Sequence, residues 1–299
     1  MHENPGKQVT PRVAVIIPAK DEAERIGMTV RAVKALPFVN LELIVVVDDG
    51  SADDTREIAR QAGAVTVRHT VTRGKASSME TGAKVVAMRA IRGKTPPLLL
   101  FLDADLGESA AEAAPLIEPV VKGEADCTIA VLPKPAGAGG HGFVLGLSKW
   151  AIRRTTGWNP QAPLSGQRCL TSAAFQAAVP LAAGWGVETD MTISLITAGF
   201  AVKEVPVNFT HRVSRRDFKS QMHRLHQFID VLKAVLKLRA RRVHIKRRKF
   251  LEAALNQNQE WFIGSLTVSR YPSPKRHYDN MPGRLAARRV LRRHILLAR

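Results

Sequence analysis

Short apolar runs alternate with longer amphipathic stretches in the first hundred residues of the chain. Three of the runs, residues 13–17 (VAVII), 43–47 (LIVVV) and 98–102 (LLLFL), are aliphatic or β-branched and contain no alternating polar positions. An unbroken apolar run of this length is typical of a strand that is covered on both faces, as in a parallel sheet. The pattern therefore predicts three buried strands.

Helix-like stretches lie between and after these runs. They cover residues 21–36, 53–62 and 75–91, and acidic or hydroxyl residues lie near the start of each one, as at many helix N-termini. Strands that alternate with helices form βαβ units, in which the helices cover both faces of the sheet. We therefore expect an α/β domain with a mostly parallel sheet.

Length and charge divide the chain into two parts. Its 299 residues suffice for one large α/β domain and an appendage, so we predict a main domain over residues 1–240 and a basic, partly disordered tail over residues 241–299. The net charge is +19, but residues 1–210 hold 22 Lys and Arg against 21 Asp and Glu, whereas residues 211–299 hold 23 against 5. The excess positive charge therefore belongs to the C-terminal part.

Two segments of this C-terminal part allow more than one interpretation. Residues 220–240 have apolar positions at helical spacing with basic residues opposite, so this helix either packs on the main domain or lies on an anionic membrane surface. Residues 241–299 are a poorly ordered appendage, a membrane-surface arm or a nucleic-acid-binding tail. Nucleic acid is the least expected partner, because the main domain is nearly neutral.

Cysteine content and hydropathy bear on the cellular compartment. Cys127 and Cys169 form neither a CxxC pair nor a Cys/His cluster at metal-ligand spacing, so neither a disulfide framework nor a zinc site is predicted. The first ten residues are polar, and the longest apolar runs fall far short of the ~20 residues that cross a membrane. We expect a cytoplasmic protein that is neither exported nor membrane-spanning.

Polar residues of specific chemistry follow the first two predicted strands. Residues 18–22 read PAKDE and residues 48–55 read DDGSADDT. Ligands of open α/β sheets bind beyond the carboxyl ends of the strands, so both segments are candidates for a binding site. The GxGxxG turn of a dinucleotide-binding enzyme is absent. The second segment also has a simpler interpretation as a helix N-terminus, in which Ser51 or Asp53 accepts backbone N–H bonds.

A third polar segment follows the third predicted strand. It contains Asp103 and Asp105, two carboxylates that are separated by one residue. Such a pair at a strand end can hold a divalent cation that bridges the oxygens of a diphosphate, which would otherwise repel the carboxylates. A lone DxD is common by chance, whereas three such segments in order, each directly after a strand, are much harder to obtain by accident.

Together these segments resemble the family-2-like glycosyltransferases of the GT-A fold, from about residue 13 to about residue 238, with the glucosyl-3-phosphoglycerate synthases and the dolichol-phosphate sugar transferases as the most similar branches. The resemblance implies that a sugar is transferred from a UDP- or GDP-sugar with Mg²⁺ or Mn²⁺ as cofactor. Asp105 is the implied direct metal ligand. The residues implied to hold the nucleotide sugar are Pro18, Ala19, Glu22, Asp49, Ser51, Lys75 and Asp103.

The second half of the domain extends the resemblance to the acceptor side. Residues 163–168, PLSGQR, resemble the acceptor-side loop of these enzymes, and the residues so assigned are Ser165, Gly166, Gln167 and Arg168. Residues 184–190, GWGVETD, resemble the segment that opens the helix behind the active site. This match implies catalytic roles for Glu188 and Asp190.

The role of Glu188 is left open by the sequence. In the inverting members of the family a carboxylate near this position acts as general base, whereas in the retaining branch it orients the acceptor. The simpler interpretation is that Glu188 and Asp190 are stabilised by the positive end of a helix dipole and take no part in catalysis. His211 follows a strand pattern over residues 202–210, and the phosphoglycerate branch implies that it is a further metal ligand beside Asp105.

One departure from the family pattern concerns the acceptor. The phosphoglycerate branch places an arginine and a threonine where this chain has the apolar Phe143 and Leu145, which disfavours phosphoglycerate. Lys149, Arg153, Arg154 and Arg168 are the remaining candidate anion binders. We therefore expect a small phosphorylated or polyprenyl-phosphate acceptor. The alternative function is a basic membrane- or nucleic-acid-binding protein on a catalytically degenerate transferase fold.

Overall fold

The computed structural model describes residues 12–37, 39–89, 95–133, 142–210 and 261–263. The strands are β1 (Arg12–Ala19), β2 (Asn40–Asp48), β3 (Val65–Arg68), β4 (Leu98–Phe101), β5 (Cys127–Val131), β6 (Arg168–Leu170), β7 (Ala201–Pro206) and β8 (Trp261–Ile263). The helices are α1 (Ala23–Lys34), α2 (Thr55–Gln61), α3 (Lys75–Arg89), α4 (Ala114–Val121), α5 (Gly142–Thr156), α6 (Ser172–Ala178) and α7 (Val187–Thr197). Tighter 3-10 turns precede α4 and α7.

The eight strands form one mixed sheet in the order β3-β2-β1-β4-β6-β5-β7-β8. Strands β1 to β4 are mutually parallel, and β5 is parallel to β7, whereas β6 runs antiparallel to both of its neighbours. The three strands and three helices predicted from the apolar pattern are confirmed within two residues at most boundaries. Strand β6 was not predicted, because its three residues are too few to give a pattern.

Both faces of the sheet are buried, as the unbroken apolar runs predicted. In β1, Ala14 and Ile16 pack into the core beneath α3, α5, α6 and α7, whereas Val13, Val15 and Ile17 pack against α1, α2 and α4. All five side chains are at most 1% exposed. Because successive side chains of a strand point to opposite faces, every side chain of a strand that is covered on both faces lies in the core and is apolar.

The strand order places the polar segments together. Strand β1 lies between β2 and β4, and Ala19 at the end of β1 pairs with Asp48 at the end of β2. The carboxyl ends of β2, β1 and β4 therefore lie side by side and form one edge of the sheet. The chain passes from β1 to β2 on one side of β1 and later returns to β4 on the other side, and ligands of α/β sheets bind at such a reversal. The segments that begin at residues 20, 49 and 103 all start from this edge.

Part of the predicted tail belongs to the sheet. Strand β8 pairs antiparallel with β7, with Val202 opposite Phe262. A chain that ended at residue 240 would lose this strand. The rest of residues 241–299 and the predicted helix over residues 220–240 lie outside the described residues, so the domain boundary stays a prediction. Within the residues that the structure describes, no helix has the length and apolar character needed to cross a membrane.

Candidate functional site

The loops after β1 and β2 are joined by hydrogen bonds. The Ser51 hydroxyl accepts from the Asp21 backbone N–H at 3.0 Å, and the Ala52 N–H donates to the Asp21 carboxylate at 2.7 Å. Asp21 has a φ of +54°, a backbone conformation that non-glycine residues adopt only where the surroundings impose it. The Ala19 carbonyl accepts from the Asp49 N–H at 2.8 Å. These bonds fix the two loops as one unit.

The same unit caps the helices that follow it. The Asp53 carboxylate accepts from the N–H groups of Ala23 and Thr55, at 3.1 Å and 3.0 Å, and the Thr55 hydroxyl accepts from the Glu22 N–H at 2.8 Å. Asp53 therefore accepts backbone N–H bonds at the first residue of both helices, as the simpler interpretation expected, although Asp54 occupies the N-cap position of α2 and makes no side-chain capping bond. Ser51 is 3% exposed and is occupied with the other loop, so a direct contact between Ser51 and a nucleotide stays a prediction. Direct contacts of Glu22, Pro18 and Ala19 with a nucleotide also stay predictions.

Asp49 anchors the turn that leads into α3. Its carboxylate accepts from the N–H groups of Arg73 and Gly74, each at 2.8 Å, and from His69 Nδ1 at 2.7 Å. Burial alone raises the pKa of Asp49, but these three hydrogen bonds outweigh it, so the pKa lies below its ordinary value and the group stays ionised. The carboxylate thereby holds the backbone directly before Lys75.

An unsatisfied oxygen lies beside this anchor, on a residue that sequence reasoning passed over. Asp48 is 1% exposed, and its Oδ2 accepts no hydrogen bond from the residues that the structure describes, although the half-exposed Arg68 brings Nε to 3.5 Å. The other oxygen, Oδ1, accepts from the Ser51 N–H at 2.9 Å. A buried acceptor without a hydrogen bond costs about 1–3 kcal/mol, and the nearby guanidinium offsets part of this cost. The doubled aspartate was the only sequence signal.

Three charged side chains meet at the sheet edge from different parts of the chain. The Lys75 ammonium lies 2.8 Å from Asp103 Oδ1 and 3.1 Å from Glu188 Oε1. The desolvation of the ammonium alone would lower the pKa of Lys75, but the two carboxylates outweigh it and raise the pKa above its ordinary value. Lys75 therefore stays charged and joins the predicted donor side to the predicted catalytic helix.

The predicted acceptor loop, residues 163–168, packs against Lys75 and Asp103 of this cluster. The Gln167 side chain donates to Asp103 Oδ2 and accepts from the Ser165 hydroxyl at 3.0 Å. Gln167 and Ser165 are 1% and 7% exposed. A Cβ atom on Gly166 would collide with the Lys75 ammonium, so a larger residue there would push the end of the Lys75 side chain out of this position. The side chains of this loop thus support Asp103 and Lys75, and a direct contact between the loop and an acceptor stays a prediction.

Arg168 requires a correction. It was considered an anion binder of the acceptor loop, but it lies in β6, is 1% exposed, and directs its guanidinium into the protein. There it donates to the carbonyls of Ser165 at 2.8 Å and Pro163 at 3.4 Å and to the Thr192 hydroxyl at 3.0 Å. Thr192 in turn donates to the Glu188 carbonyl at 2.8 Å. Arg168 therefore ties the loop to α7 and has no surface from which to bind an acceptor.

The two predicted catalytic carboxylates lie in the first turn of α7. Glu188 is 7% exposed and is the one that contacts Lys75, whereas Asp190 is 5% exposed. Side chains two residues apart on a helix leave on different faces, which separates Asp190 from the direction of Glu188. The structure therefore brings Glu188 into the charged cluster, and a catalytic role for Asp190 stays a prediction.

Two further carboxylates support the acceptor side and were missed by sequence reasoning. Glu204 in β7 accepts from the N–H groups of Gln161 and Ala162, at 2.9 Å and 2.7 Å. Glu80 in α3 accepts from the Leu181 N–H at 2.8 Å. Both residues look like ordinary surface positions in the sequence, because their partners lie about 40 and 100 residues away.

The predicted metal ligands are only partly covered by the structure. Asp105 is partly exposed and lies two residues after Asp103, beyond the end of β4. Over the described parts of the chain, no group of three or more His, Cys, Asp or Glu residues is arranged to hold a metal ion. His211 lies outside those parts. The donor set that is present, two aspartates after the end of β4, suits a hard cation that takes its remaining ligands from phosphates and water.

The chain is similar in sequence to known glycosyltransferases. Glycosyltransferase AglJ of Haloferax volcanii is 26% identical over 214 residues, which are 69% of this chain and 65% of AglJ. Glucosyl-3-phosphoglycerate synthase of Mycolicibacterium smegmatis is 31% identical over 94 residues, 31% of each chain. This chain thus spans less than two thirds of either relative.

A solved structure shares the fold. The crystal structure of glucosyl-3-phosphoglycerate synthase from Mycobacterium tuberculosis with Mn²⁺, UDP-glucose and phosphoglyceric acid superposes with a TM-score of 0.59 at 20% identity, covering 76% of this chain and 81% of that one. The fold is therefore GT-A. The model of the family described as "Glycosyl transferase family 2" matches residues 14–177, more than half of the sequence. The chain belongs to glycosyl transferase family 2.

Proposed function

We propose that the protein is a metal-dependent glycosyltransferase that moves a sugar from a nucleoside-diphosphate sugar to a phosphate-bearing acceptor. The observation that carries this proposal is the contact of Lys75 with both Asp103 and Glu188 at the sheet edge. One side chain there joins the segment expected to hold the diphosphate to the segment expected to act on the acceptor. A purely structural domain has no need of three charges at an open edge.

Lys75 is well placed for a diphosphate leaving group. An ammonium has three N–H donors, and the two carboxylates accept two of them, which leaves one for a phosphate oxygen. The side chain is 32% exposed, so a ligand can reach it. Fixed positive charge beside a departing diphosphate stabilises the negative charge that develops as the bond to the sugar breaks.

The two aspartates fit a divalent cation. Asp105 would bind it directly, and Asp103, whose oxygens already accept from Lys75 and Gln167, would steady the donor beside it. When bound, the metal would neutralise the diphosphate and make it a better leaving group. Crystals of the synthase from Mycobacterium tuberculosis contain Mg²⁺ with UDP or Mn²⁺ with UDP-glucose, which supports the same pairing here.

Glu188 contacts the same ammonium of Lys75 as Asp103 does. Its carboxylate is buried yet paired with the ammonium, so it is held at a fixed place beside the reacting centre. From there it would orient the hydroxyl or phosphate of the acceptor, or remove its proton. Asp190, the loop over residues 163–167 and His211 stay predictions as further contributors.

Arg68, at the end of β3, supports a nucleoside donor. Its side chain is 49% exposed, and its Nε lies 3.5 Å from the buried Asp48 Oδ2, which accepts no hydrogen bond from the described residues. The exposed guanidinium would donate to a carbonyl of the base. UDP-sugars and GDP-sugars both offer such groups, whereas a simple sugar phosphate offers no base.

A donor screen tests the proposal. UDP-glucose, UDP-GlcNAc, GDP-mannose and GDP-glucose are each titrated into the full-length protein with Mn²⁺, with Mg²⁺ and with EDTA, and release of UDP or GDP is measured. We expect one nucleotide class to bind and to be turned over only with metal, and Asp105→Ala to abolish turnover. Glu108→Ala, an exposed carboxylate three residues further on, is the matched control and should behave like the wild type. A wild-type protein that ignores every sugar nucleotide would contradict the proposal and favour the binding-protein alternative.

A further inference from the structure

We propose that His69 is a positioning residue that aims Lys75 at the diphosphate of the donor, an inference that rests on the proposed function. His69 is 7% exposed and carries no role in the family resemblance described above. Both of its ring nitrogens are occupied. Nδ1 lies 2.7 Å from Asp49 Oδ1, and Nε2 lies 3.0 Å from the Thr81 hydroxyl.

The protonation of the ring follows from its partners. Asp49 stays ionised and can only accept, so His69 Nδ1 carries a hydrogen and donates it. In the neutral ring, Nε2 then accepts from the Thr81 hydroxyl. The imidazole is therefore locked in one tautomer and one orientation, as expected of a buried histidine that holds its neighbours in place.

Asp49 passes this restraint to the backbone before Lys75. Oδ1 accepts from His69 and from the Arg73 N–H, and Oδ2 accepts from the Gly74 N–H. Gly74 has a φ of +87°, which is a backbone conformation that favours glycine, and α3 begins at the next residue, Lys75. The direction in which Lys75 leaves the helix is thus set by a turn that a single carboxylate holds.

The hydrogen bonds close a ring on α3. Thr81 lies in the second turn of this helix, six residues after Lys75, and His69 comes from the segment after β3. The path runs from Thr81 through His69 and Asp49 to Gly74, and the helix itself joins Gly74 back to Thr81. Both ends of the helix's first two turns are therefore tied to the same histidine and carboxylate pair.

Removal of the imidazole should weaken the binding of nucleotides that have a second phosphate, because Lys75 is expected to contact that phosphate. With His69→Ala, Asp49 loses one of its three hydrogen bonds and the 72–74 turn loosens, so Lys75 spends less time aimed at the cleft. We expect UDP with Mn²⁺ to bind about tenfold more weakly, because Lys75 then makes its charge-assisted bond to the second phosphate for less of the time. UMP does not reach Lys75 and should change by less than about twofold. If the wild type binds guanine nucleotides, GDP and GMP take their place.

Two conservative variants separate positioning from mere folding. The amide nitrogen of asparagine overlays imidazole Nδ1, whereas that of glutamine overlays Nε2. His69→Asn should therefore restore UDP binding to within about twofold of wild type, and His69→Gln should resemble His69→Ala. This contrast also decides the matter if the alanine variant fails to fold.

A double-mutant cycle gives the most direct test. If His69 acts through Lys75, then the double variant His69→Ala/Lys75→Ala should bind UDP no more weakly than Lys75→Ala alone. Equal weakening of UDP and UMP, additive effects in the cycle, or unchanged UDP binding in His69→Ala would each overturn the inference while the wild type still binds UDP. A wild type that binds no sugar nucleotide would instead overturn the proposed function.

Discussion

The predicted donor side of the site, formed by the loops after β1 and β2, and its predicted acceptor side, formed by residues 161–168 and their partners, are built differently. On the donor side, short polar side chains of two adjacent loops bond to each other's backbone, as Ser51 does with Asp21 and Asp53 does with Ala23. On the acceptor side, long side chains reach loops that are distant in sequence, as Arg168 does with Ser165 and Thr192, and Glu204 does with Gln161. The loops of the donor side are therefore held by several hydrogen bonds from different residues, whereas a loop of the acceptor side is held by one residue.

This difference predicts how each side responds to mutation. Loss of one bond in a group of five leaves the donor loops in place, because the others still fix the same backbone. Loss of Arg168 releases the Ser165 and Pro163 carbonyls and the contact to α7 together. Substitutions on the acceptor side should therefore cost more stability, and the largest loss of activity outside the two aspartates of the predicted metal site should come from Lys75, where the two sides meet.

Replacement of Lys75 by alanine should have the largest effect on activity among variants that keep both aspartates of the predicted metal site. It leaves Asp103 and Glu188 without the shared ammonium and removes the expected diphosphate contact. Loss of a donor to developing negative charge costs on the order of 10²–10³-fold in turnover, so we expect at least about 100-fold. The measurement is metal-dependent UDP or GDP release. Lys84→Ala, an exposed lysine on the same helix, is the control and should turn over at the wild-type rate.

Replacement of Arg168 by methionine should have the largest effect on stability. It keeps an apolar stem in the core but leaves two loop carbonyls and the Thr192 hydroxyl without their donor. We expect a loss of roughly 2–4 kcal/mol in the free energy of unfolding, measured by urea denaturation. Arg153→Met changes an exposed arginine and should cost less than about 0.5 kcal/mol. Equal losses for the two variants would contradict the claim that Arg168 supports the acceptor side.

Replacement of Glu204 by glutamine should have an intermediate effect on the free energy of unfolding. The amide keeps one acceptor oxygen for Gln161 or Ala162 and turns an NH₂ group towards the other N–H. We expect a loss of about 1–2 kcal/mol and faster hydrogen exchange at these two amides. Unchanged exchange at residues 161 and 162 would show that Glu204 does not hold the loop.

Replacement of Ser51 by alanine should have the smallest effect on stability. Only the bond from the Asp21 N–H is lost, while the bond from Ala52 to Asp21 and the capping bonds of Asp53 remain. We expect a loss of about 1 kcal/mol or less in the free energy of unfolding. A loss as large as that of Arg168→Met would break the comparison, because it would show that the donor loops also depend on one residue.

The donor side was largely predictable from the sequence, and the reason is its topology. Parallel strands joined by helices give apolar runs and polar segments that follow each other in order, so the meeting of Asp49 and Asp103 at one edge follows from the strand pattern. The residues that hold this edge from within were less visible. Asp48, Arg68 and His69 look like a strand end, and only the geometry shows their contacts.

The acceptor side was predictable only through the family resemblance. Strand β6 has three residues and no pattern, and the bonds of Glu80 and Arg168 connect segments that local sequence does not relate. Resemblance placed Glu188 correctly beside the donor segment but presented Arg168 as an acceptor contact, because a motif records which residue is present and not where its side chain points. Burial reverses the meaning of an arginine.

A crystal structure of the protein grown with Mn²⁺ and UDP, or GDP if the screen selects it, tests the central claim most directly. We predict an anomalous peak for Mn²⁺ at about 2.2 Å from an Asp105 oxygen, bridging to the diphosphate, with Lys75 Nζ in hydrogen-bond contact with a phosphate oxygen. A nucleotide bound away from the edge formed by β1, β2 and β4, or a bound metal that touches neither Asp103 nor Asp105, would contradict the account.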